Sequence, residues 1–227
     1  MSKPSYFEIS QIPHLRTLQS RLREAYQGSK NNGLELEIEQ LPYTLSATAC
    51  ILLRILDAQM LIIESVKSRT GNDDIQSYNI YQMEEDEYQS ISFLMDSYLD
   101  AARRAQNAIW PYLSKILRKS VPQSLSDTIK KMSSGKLQFP DRIHALILEY
   151  WRKSGSKLKD YRDLSQHHAV VSSEGHVVIL PDRRAGIYLI LPKNPEEVNL
   201  AKLNYDGSVH ALPLVVETYI ILYSFIY

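Results

Sequence analysis

The residues from Tyr161 to His168 bring an arginine, a carboxylate and imidazoles together within one short stretch. Histidine titrates near neutral pH, so it can move a proton in an acid–base reaction. A guanidinium group suits charge that develops on phosphoryl oxygens, because it donates hydrogen bonds in a fixed fork. Asp163 lies four residues before His167, so on a helix the carboxylate can orient the imidazole. The stretch therefore predicts Arg162, Asp163 and His167 as catalytic residues, with Ser165 and His168 as auxiliaries.

The spacing of Arg162 and His167 sets a geometric condition on that chemistry. The two are five residues apart, which places them about 140° around an ideal helix. They converge on one substrate only through the reach of the arginine, a bend in the helix, or a second subunit. The alternative is structural, since cationic side chains in a last helical turn complement the helix dipole, and the three residues could tie a bundle together.

This pattern of an Arg, a polar residue and a later His resembles the signature of the HEPN superfamily (higher eukaryotes and prokaryotes nucleotide-binding). Arg162, Asp163 and His167 match it, His168 fits the looser spacing, and no other arginine in the chain has a histidine at that spacing. The resemblance covers roughly residues 43–170 and the C-terminal segment. It implies a bundle of four or five helices with the motif late in the bundle.

The resemblance also implies an activity and partners. HEPN ribonucleases cleave RNA without a metal, by attack of a ribose 2′-hydroxyl on the adjacent phosphate, and pair their motifs at a dimer interface. We therefore expect a cytoplasmic, cofactor-free endoribonuclease of the toxin or defence kind, with RNA as substrate, a homodimeric site and a protein antitoxin as candidate partner. The alternative is a non-catalytic module that binds nucleic acid, nucleotides or a protein, because many HEPN relatives are thought to have lost cleavage.

Charge is unevenly distributed along a chain that carries 26 basic and 26 acidic side chains. Between Arg103 and Arg162 there are fourteen Lys and Arg against four Asp and Glu. Such an excess is typical of a surface that faces a polyanion, although a solvated helix face paired with acids elsewhere has the same composition. The positions nearest the motif are predicted to contact RNA: Arg152, Lys153, Lys157 and Lys159.

Apolar periodicity predicts a mainly helical chain. One helix is expected from about Tyr43, after Pro42, and a second from about Glu84 to Arg118, kinked or split at Pro111. Residues 130–136 are interpreted as a loop. A third helix opens near Pro140 and stops at Gly155, and a short helical stretch follows over residues 157–168.

After Ser172 the pattern becomes strand-like and predicts two β-hairpins. The first pairs residues 176–180 with 187–191, and the second pairs 199–205 with 208–212 across Asp206-Gly207. The expected fold is thus mainly α, a HEPN-like bundle over 43–227 with a small antiparallel β-hairpin element at about 173–212. Residues 1–42 form an N-terminal extension, expected to hold a helix and a strand.

Several other classes are disfavoured by composition. A single cysteine, Cys50, cannot form an internal disulfide, and it is expected to be a small buried core residue. No cysteine cluster or ligand spacing predicts a metal site. The start of the chain has no apolar run typical of a signal peptide, and the apolar stretch from Ala49 to Ile63 is too short to span a bilayer. These features predict a soluble cytoplasmic protein without a membrane partner.

Overall fold

The computed structural model describes residues 40–70, 78–167 and 171–226. The α-helices are α1 Gln40–Thr70, α2 Glu85–Leu117, α3 Leu125–Ser133, α4 Asp141–Tyr150, α5 Ser156–His167 and α6 Ala211–Ile226. A π-helical turn, Trp151–Gly155, joins α4 to α5, and a 3₁₀ turn covers Leu200–Lys202. The strands are β1 Asn79–Gln82, β2 Gly175–Ile179, β3 Ala185–Leu191 and β4 Val209–His210. The chain is mainly helical with a small antiparallel sheet, as the sequence predicts. The predicted extension over residues 1–42 lies outside the described residues, except for the first turn of α1.

The core forms where α1 and α2 pack together beneath α6. Both helices bury apolar side chains at spacings of three and four residues, and Leu52, Ile55, Ile91 and Leu99 are almost wholly inaccessible to solvent. This is the amphipathic pattern of helices that face a shared core. From Tyr43 to Thr70, α1 is long and apolar enough to cross a membrane by length and composition, and 39% of its most apolar window is buried in the protein.

Tyrosine hydroxyls connect α2 and α5 to the rest of the fold. The Tyr98 hydroxyl donates to the Val215 carbonyl of α6 at 2.6 Å, and the Tyr88 hydroxyl donates to the Ser172 carbonyl at 2.7 Å. Tyr161 in α5 donates to the Pro192 carbonyl at 2.7 Å. A buried tyrosine needs such a partner, because an unpaired hydroxyl in the interior is costly. The first two bonds hold α2 against α6 and Ser172, and the third holds α5 against the segment that follows β3.

The sheet has the strand order β1-β2-β3-β4, with every neighbouring pair antiparallel. The first predicted hairpin is confirmed, since β2 pairs with β3 and His176 lies opposite Tyr188. Strand β1 was not predicted: it comes from the α1–α2 connection, outside the predicted insertion at 173–212, and places Ile80 opposite Val178.

The second predicted hairpin is wrong. Asp206 and Gly207 do form a turn, in which Gly207 has a φ of 75° and Asp206 accepts a hydrogen bond from the Ser208 amide. The residues before that turn pair elsewhere, however, because the Lys193 amide donates to the Asn204 carbonyl at 2.8 Å. After the turn, β4 pairs with β3 instead. The Asp206-Gly207 pair therefore predicts where the chain turns, but not which strands pair on either side of the turn.

Of the two alternatives predicted at Pro111, a split of α2 is wrong, because the helix runs through that residue. Three other local expectations change. Lys130 and Lys131 lie in the last turn of α3 rather than in a loop. Cys50 is exposed on α1, not buried. Gly155 does not stop the helix, because the chain continues through the π-helical turn into α5.

Gly155 instead serves a close contact with α2. A Cβ built on it would lie 2.7 Å from Nε2 of Gln106 and 2.9 Å from the ring of Tyr150, closer than real Cβ contacts. Gln106 is fully buried and donates to the Gly155 carbonyl at 3.4 Å. Glycine at this position thus lets the π-helical turn approach α2, and this approach sets where α5 begins.

Candidate functional site

The predicted motif lies on α5, which extends unbroken to His167. Leu158, Tyr161 and Leu164 are buried and fix the inner side of the helix. The remaining surface carries the motif, with Arg162 half-buried at one margin and His167 exposed at the other. Because the helix is continuous, the two lie about 140° apart around its axis. Of the three ways in which they could converge, a break or bend within α5 is therefore not present, which leaves the reach of the arginine and a second subunit.

Arg162 joins α5 to α2 through Asp100. Its Nε lies 3.4 Å from Oδ1 of Asp100, and its Nη1 lies 3.4 Å from Oδ1 of Asp163. Both contacts are longer than the distance of about 2.9 Å that is usual for N–H···O bonds. The Arg162 side chain remains 29% exposed. The guanidinium is thus held near the surface by two carboxylates, each at the outer limit of a hydrogen bond.

Asp100 is the centre of this junction between the two helices. Its Oδ1 also accepts from Nε2 of Gln166 at 3.4 Å, and its Oδ2 accepts from Nη2 of Arg104 at 2.8 Å. One α2 carboxylate therefore contacts two α5 side chains and one arginine from its own helix. Asp100 cannot be recognised from the sequence, because it lies 62 residues before Arg162 and only the packing of α2 against α5 brings them together.

Asp163 also pairs with a lysine of its own helix. Lys159 Nζ lies 3.0 Å from Oδ2 of Asp163 and 3.1 Å from Oδ1 of Asp160. Burial opposes the charge on Lys159, but its hydrogen bonds with Asp163 and Asp160 outweigh burial and raise its pKa. Both oxygens of Asp163 therefore face cations. The role predicted for Asp163, orienting His167, remains a prediction.

Of the two predicted auxiliary residues, the structure describes Ser165. Ser165 hydrogen-bonds the carboxyl of Asp96 on α2; burial raises the pKa of Asp96, and this bond partly offsets that effect. His168 lies outside the described residues. Asp96 is a second α2 carboxylate beside the motif that the sequence did not single out. In the sequence, Asp96 is distinguished only by lying one turn before Asp100, in a polar row on a helix whose other side is apolar.

A third α2 residue, Arg103, lies behind the motif. Its Nη1 donates to Oε1 of Gln106 at 2.6 Å, and its Nη2 donates to the Ser126 hydroxyl at 3.5 Å. Burial lowers the pKa of Arg103, while the nearby Asp163 acts in the opposite direction. Since Gln106 contacts Gly155, these polar contacts connect Arg103 to the π-helical turn.

The four side chains predicted to contact RNA fall into two groups. Lys153 pairs with Glu149 at 2.6 Å, and Lys159 pairs with the two aspartates named above. Arg152 and Lys157 are exposed and form no ion pair with another described residue. Arg152 and Lys157 are therefore the two of these four whose charges are accessible to an anionic ligand without the loss of an ion pair.

Comparisons with family models, with curated proteins and with solved structures gave no match. The resemblance to the HEPN superfamily therefore rests on the motif residues and on the mainly helical fold that carries them.

Proposed function

We propose that this chain is a metal-independent endoribonuclease of the HEPN type, acting in a toxin or defence role as a homodimer. The observation that carries the proposal is the surface of α5, which holds an exposed imidazole at His167 and a partly exposed guanidinium at Arg162. Arg162 meets its two carboxylates at long distances, so a phosphate with higher charge density can compete for its donors.

The reaction follows from the chemistry of these groups. The ribose 2′-hydroxyl attacks the adjacent phosphorus, the bond to the 5′-oxygen breaks, and the products carry a 2′,3′-cyclic phosphate and a 5′-hydroxyl. His167 transfers a proton at the attacking or leaving oxygen, and Arg162 stabilises charge on the phosphoryl oxygens. Because the two diverge on one helix, the proposal pairs Arg162 of one protomer with His167 of its partner.

A second candidate function is favoured by the Arg162–Asp100 junction. If the main role of Arg162 is to hold α5 against α2, the chain is a non-catalytic module that binds nucleic acid, nucleotides or a protein. Partly exposed ion pairs of this kind each stabilise a fold by about 0–1 kcal/mol. Substitution of Arg162 and His167 therefore distinguishes the two functions: the ribonuclease would lose RNA cleavage, whereas the module would lose only the contacts that hold α5.

The deciding experiment is an RNA cleavage assay in the presence of EDTA. We expect the wild type to cleave a mixed-sequence RNA and to leave 2′,3′-cyclic phosphate ends, and we expect Arg162→Ala and His167→Ala to abolish cleavage. Because His167 is exposed, its variant should keep the wild-type melting temperature. Lys202→Ala, an exposed substitution outside the motif, is the matched control and should cleave normally. If the wild type cleaves no RNA over a wide range of pH and salt, the ribonuclease proposal fails and the non-catalytic module is the remaining candidate function.

A further inference from the structure

Six cations cluster at the end of the molecule where α2 ends and α4 begins. Between residues 118 and 142 the chain has six basic side chains and two acidic ones. All six are exposed, and we call them the basic end: Arg118, Lys119, Lys130, Lys131, Lys136 and Arg142. Of the two acids, Asp127 pairs with Lys130 at 3.7 Å, and Asp141 lies in the first turn of α4.

Hydrogen bonds hold together the end of α2, the end of α3 and the loop before α4, which carry or adjoin these cations. The amides of Lys136 and Leu137 both donate to the Lys131 carbonyl, at 2.9 and 3.2 Å. Lys119 Nζ donates to the Gln138 carbonyl at 3.3 Å, which joins the end of α2 to the loop before α4. Leu137 and Phe139 are buried beneath that loop. The cations are therefore displayed on an anchored frame, which lowers the entropy lost when a ligand binds.

Arg118 adds a second and independent observation. It follows the last residue of α2 and has a φ of 49°, in the left-handed region that favours glycine. An arginine in this conformation costs stability that a glycine would not. The arginine, whose side chain is exposed at the basic end, is retained at this position despite that cost.

From these observations we infer that the basic end is an RNA-docking surface, separate from the motif on α5. Its Arg118 and Lys119 lie roughly 25 Å along α2 from the Asp100 junction, since seventeen residues of α2 separate Asp100 from Leu117 at 1.5 Å each. The choice of RNA as the polyanion rests on the proposed function. A membrane surface is the weaker occupant, because insertion needs exposed apolar side chains among the cations, and the nearest large ones are Leu146 and Leu148, beyond Arg142 on α4.

The test is fluorescence anisotropy with a labelled 20-nucleotide RNA whose riboses are all 2′-O-methylated, so that it cannot be cleaved. A triple variant, Lys131→Gln/Lys136→Gln/Arg142→Gln, should bind at least about tenfold more weakly near 0.1 M salt, with a salt slope reduced by about 2. The matched control, Arg54→Gln/Lys193→Gln/Lys202→Gln, removes three exposed charges elsewhere and should bind nearly as the wild type. Equal losses in both triple variants, or no loss in either, would overturn the inference.

A pair of single variants separates charge from folding. Arg118→Gly and Arg183→Gly each remove one arginine at positive φ, but Arg183, with a φ of 63°, lies in the β2–β3 turn outside the basic end. Both should keep or raise the melting temperature, whereas only Arg118→Gly should weaken RNA binding, by roughly threefold. Equal RNA affinity of these two variants would count against the docking surface.

Two further outcomes distinguish this inference from the proposed function. If the wild type never cleaves unmodified RNA but the triple variant still loses affinity, the ribonuclease proposal fails and the docking surface stands. If the wild type cleaves and the triple variant binds normally, the docking surface fails and the ribonuclease proposal stands. Preferential binding of the wild type to anionic phosphatidylserine vesicles over RNA would overturn the docking surface in favour of a membrane.

Discussion

Asp96 is a half-buried carboxyl whose pKa is raised mainly by burial. An unfolded aspartate has a pKa of about 4. Because the folded protein holds this proton more tightly than the unfolded chain does, Asp96 makes stability fall as the pH rises above that value. The charged carboxylate is therefore a source of instability at neutral pH, retained beside the motif.

We predict that Asp96→Asn raises the melting temperature at pH 7 and flattens its decline from about pH 4 upward. The amide removes the buried charge and still accepts a hydrogen bond from Ser165. Thermal unfolding followed by circular dichroism at a series of pH values measures the effect. Asp57→Asn, at an exposed position of α1, is the control and should leave the profile unchanged. Matching profiles for the two variants would contradict the burial of an ionised Asp96.

At the scale of elements, the π-helical turn depends on glycine. We predict that Gly155→Ala lowers the free energy of unfolding by about 1–3 kcal/mol, because the new methyl group would overlap Gln106, Tyr150 and Leu125. Urea unfolding measures this loss.

Gly186 of β3 supplies the matched control for that substitution. The nearest atom to a Cβ at Gly186 is 3.9 Å away, in ordinary van der Waals contact. Gly186→Ala should therefore be neutral or slightly stabilising. Equal stabilities of the two variants would show that the turn yields to the added methyl group.

The sequence predicted those elements whose signals are local. The long apolar periodicities of α1 and α2 and the β2–β3 hairpin all depend on neighbours in the chain, and the structure contains them. Strand β1 was missed because four residues carry little periodicity and its partner lies far along the sequence. Gly155 was misinterpreted because a glycine after a helix is typical of a C-cap, and only the contact with Gln106 shows its other role.

In the candidate site too, only the residues that lie close together in the sequence could be predicted. Arg162, Asp163 and His167 could be chosen because their residue types and spacing fall within one helix. Asp96, Asp100 and Arg103 could not, since they belong to α2 and meet α5 only after packing. Because α1 is apolar on several sides, periodicity alone does not reveal that the side with Cys50 is exposed.

At the scale of the whole molecule, the proposed site needs two protomers. We predict that a mixture of inactive Arg162→Ala and His167→Ala proteins, exchanged through mild denaturation, regains about a quarter of wild-type ribonuclease activity. Half of the dimers would then be mixed, and each mixed dimer would hold one site with an intact arginine and histidine. Cleavage of a labelled RNA measures the recovery.

The control for that mixture is each variant exchanged with itself, which should stay inactive. A protein that is strictly monomeric by gel filtration, or a mixture that stays inactive while both variants are folded and dimeric, would contradict a site shared between protomers.

The pairing of β1 with β2 also has a consequence for how the chain is made. Their paired residues are separated by 94 to 100 positions, from Gln82 with His176 to Asn79 with Ile179. At a synthesis rate of about 5–20 residues per second, β1 would leave the ribosome roughly 5–20 s before its partner. Helix α5 precedes β2 in the chain, so the nascent protein can bring the motif against α2 while the edge of β1 is still unpaired. Helices α1 to α5 thus emerge first during translation, and strands β2 to β4 and helix α6 follow them.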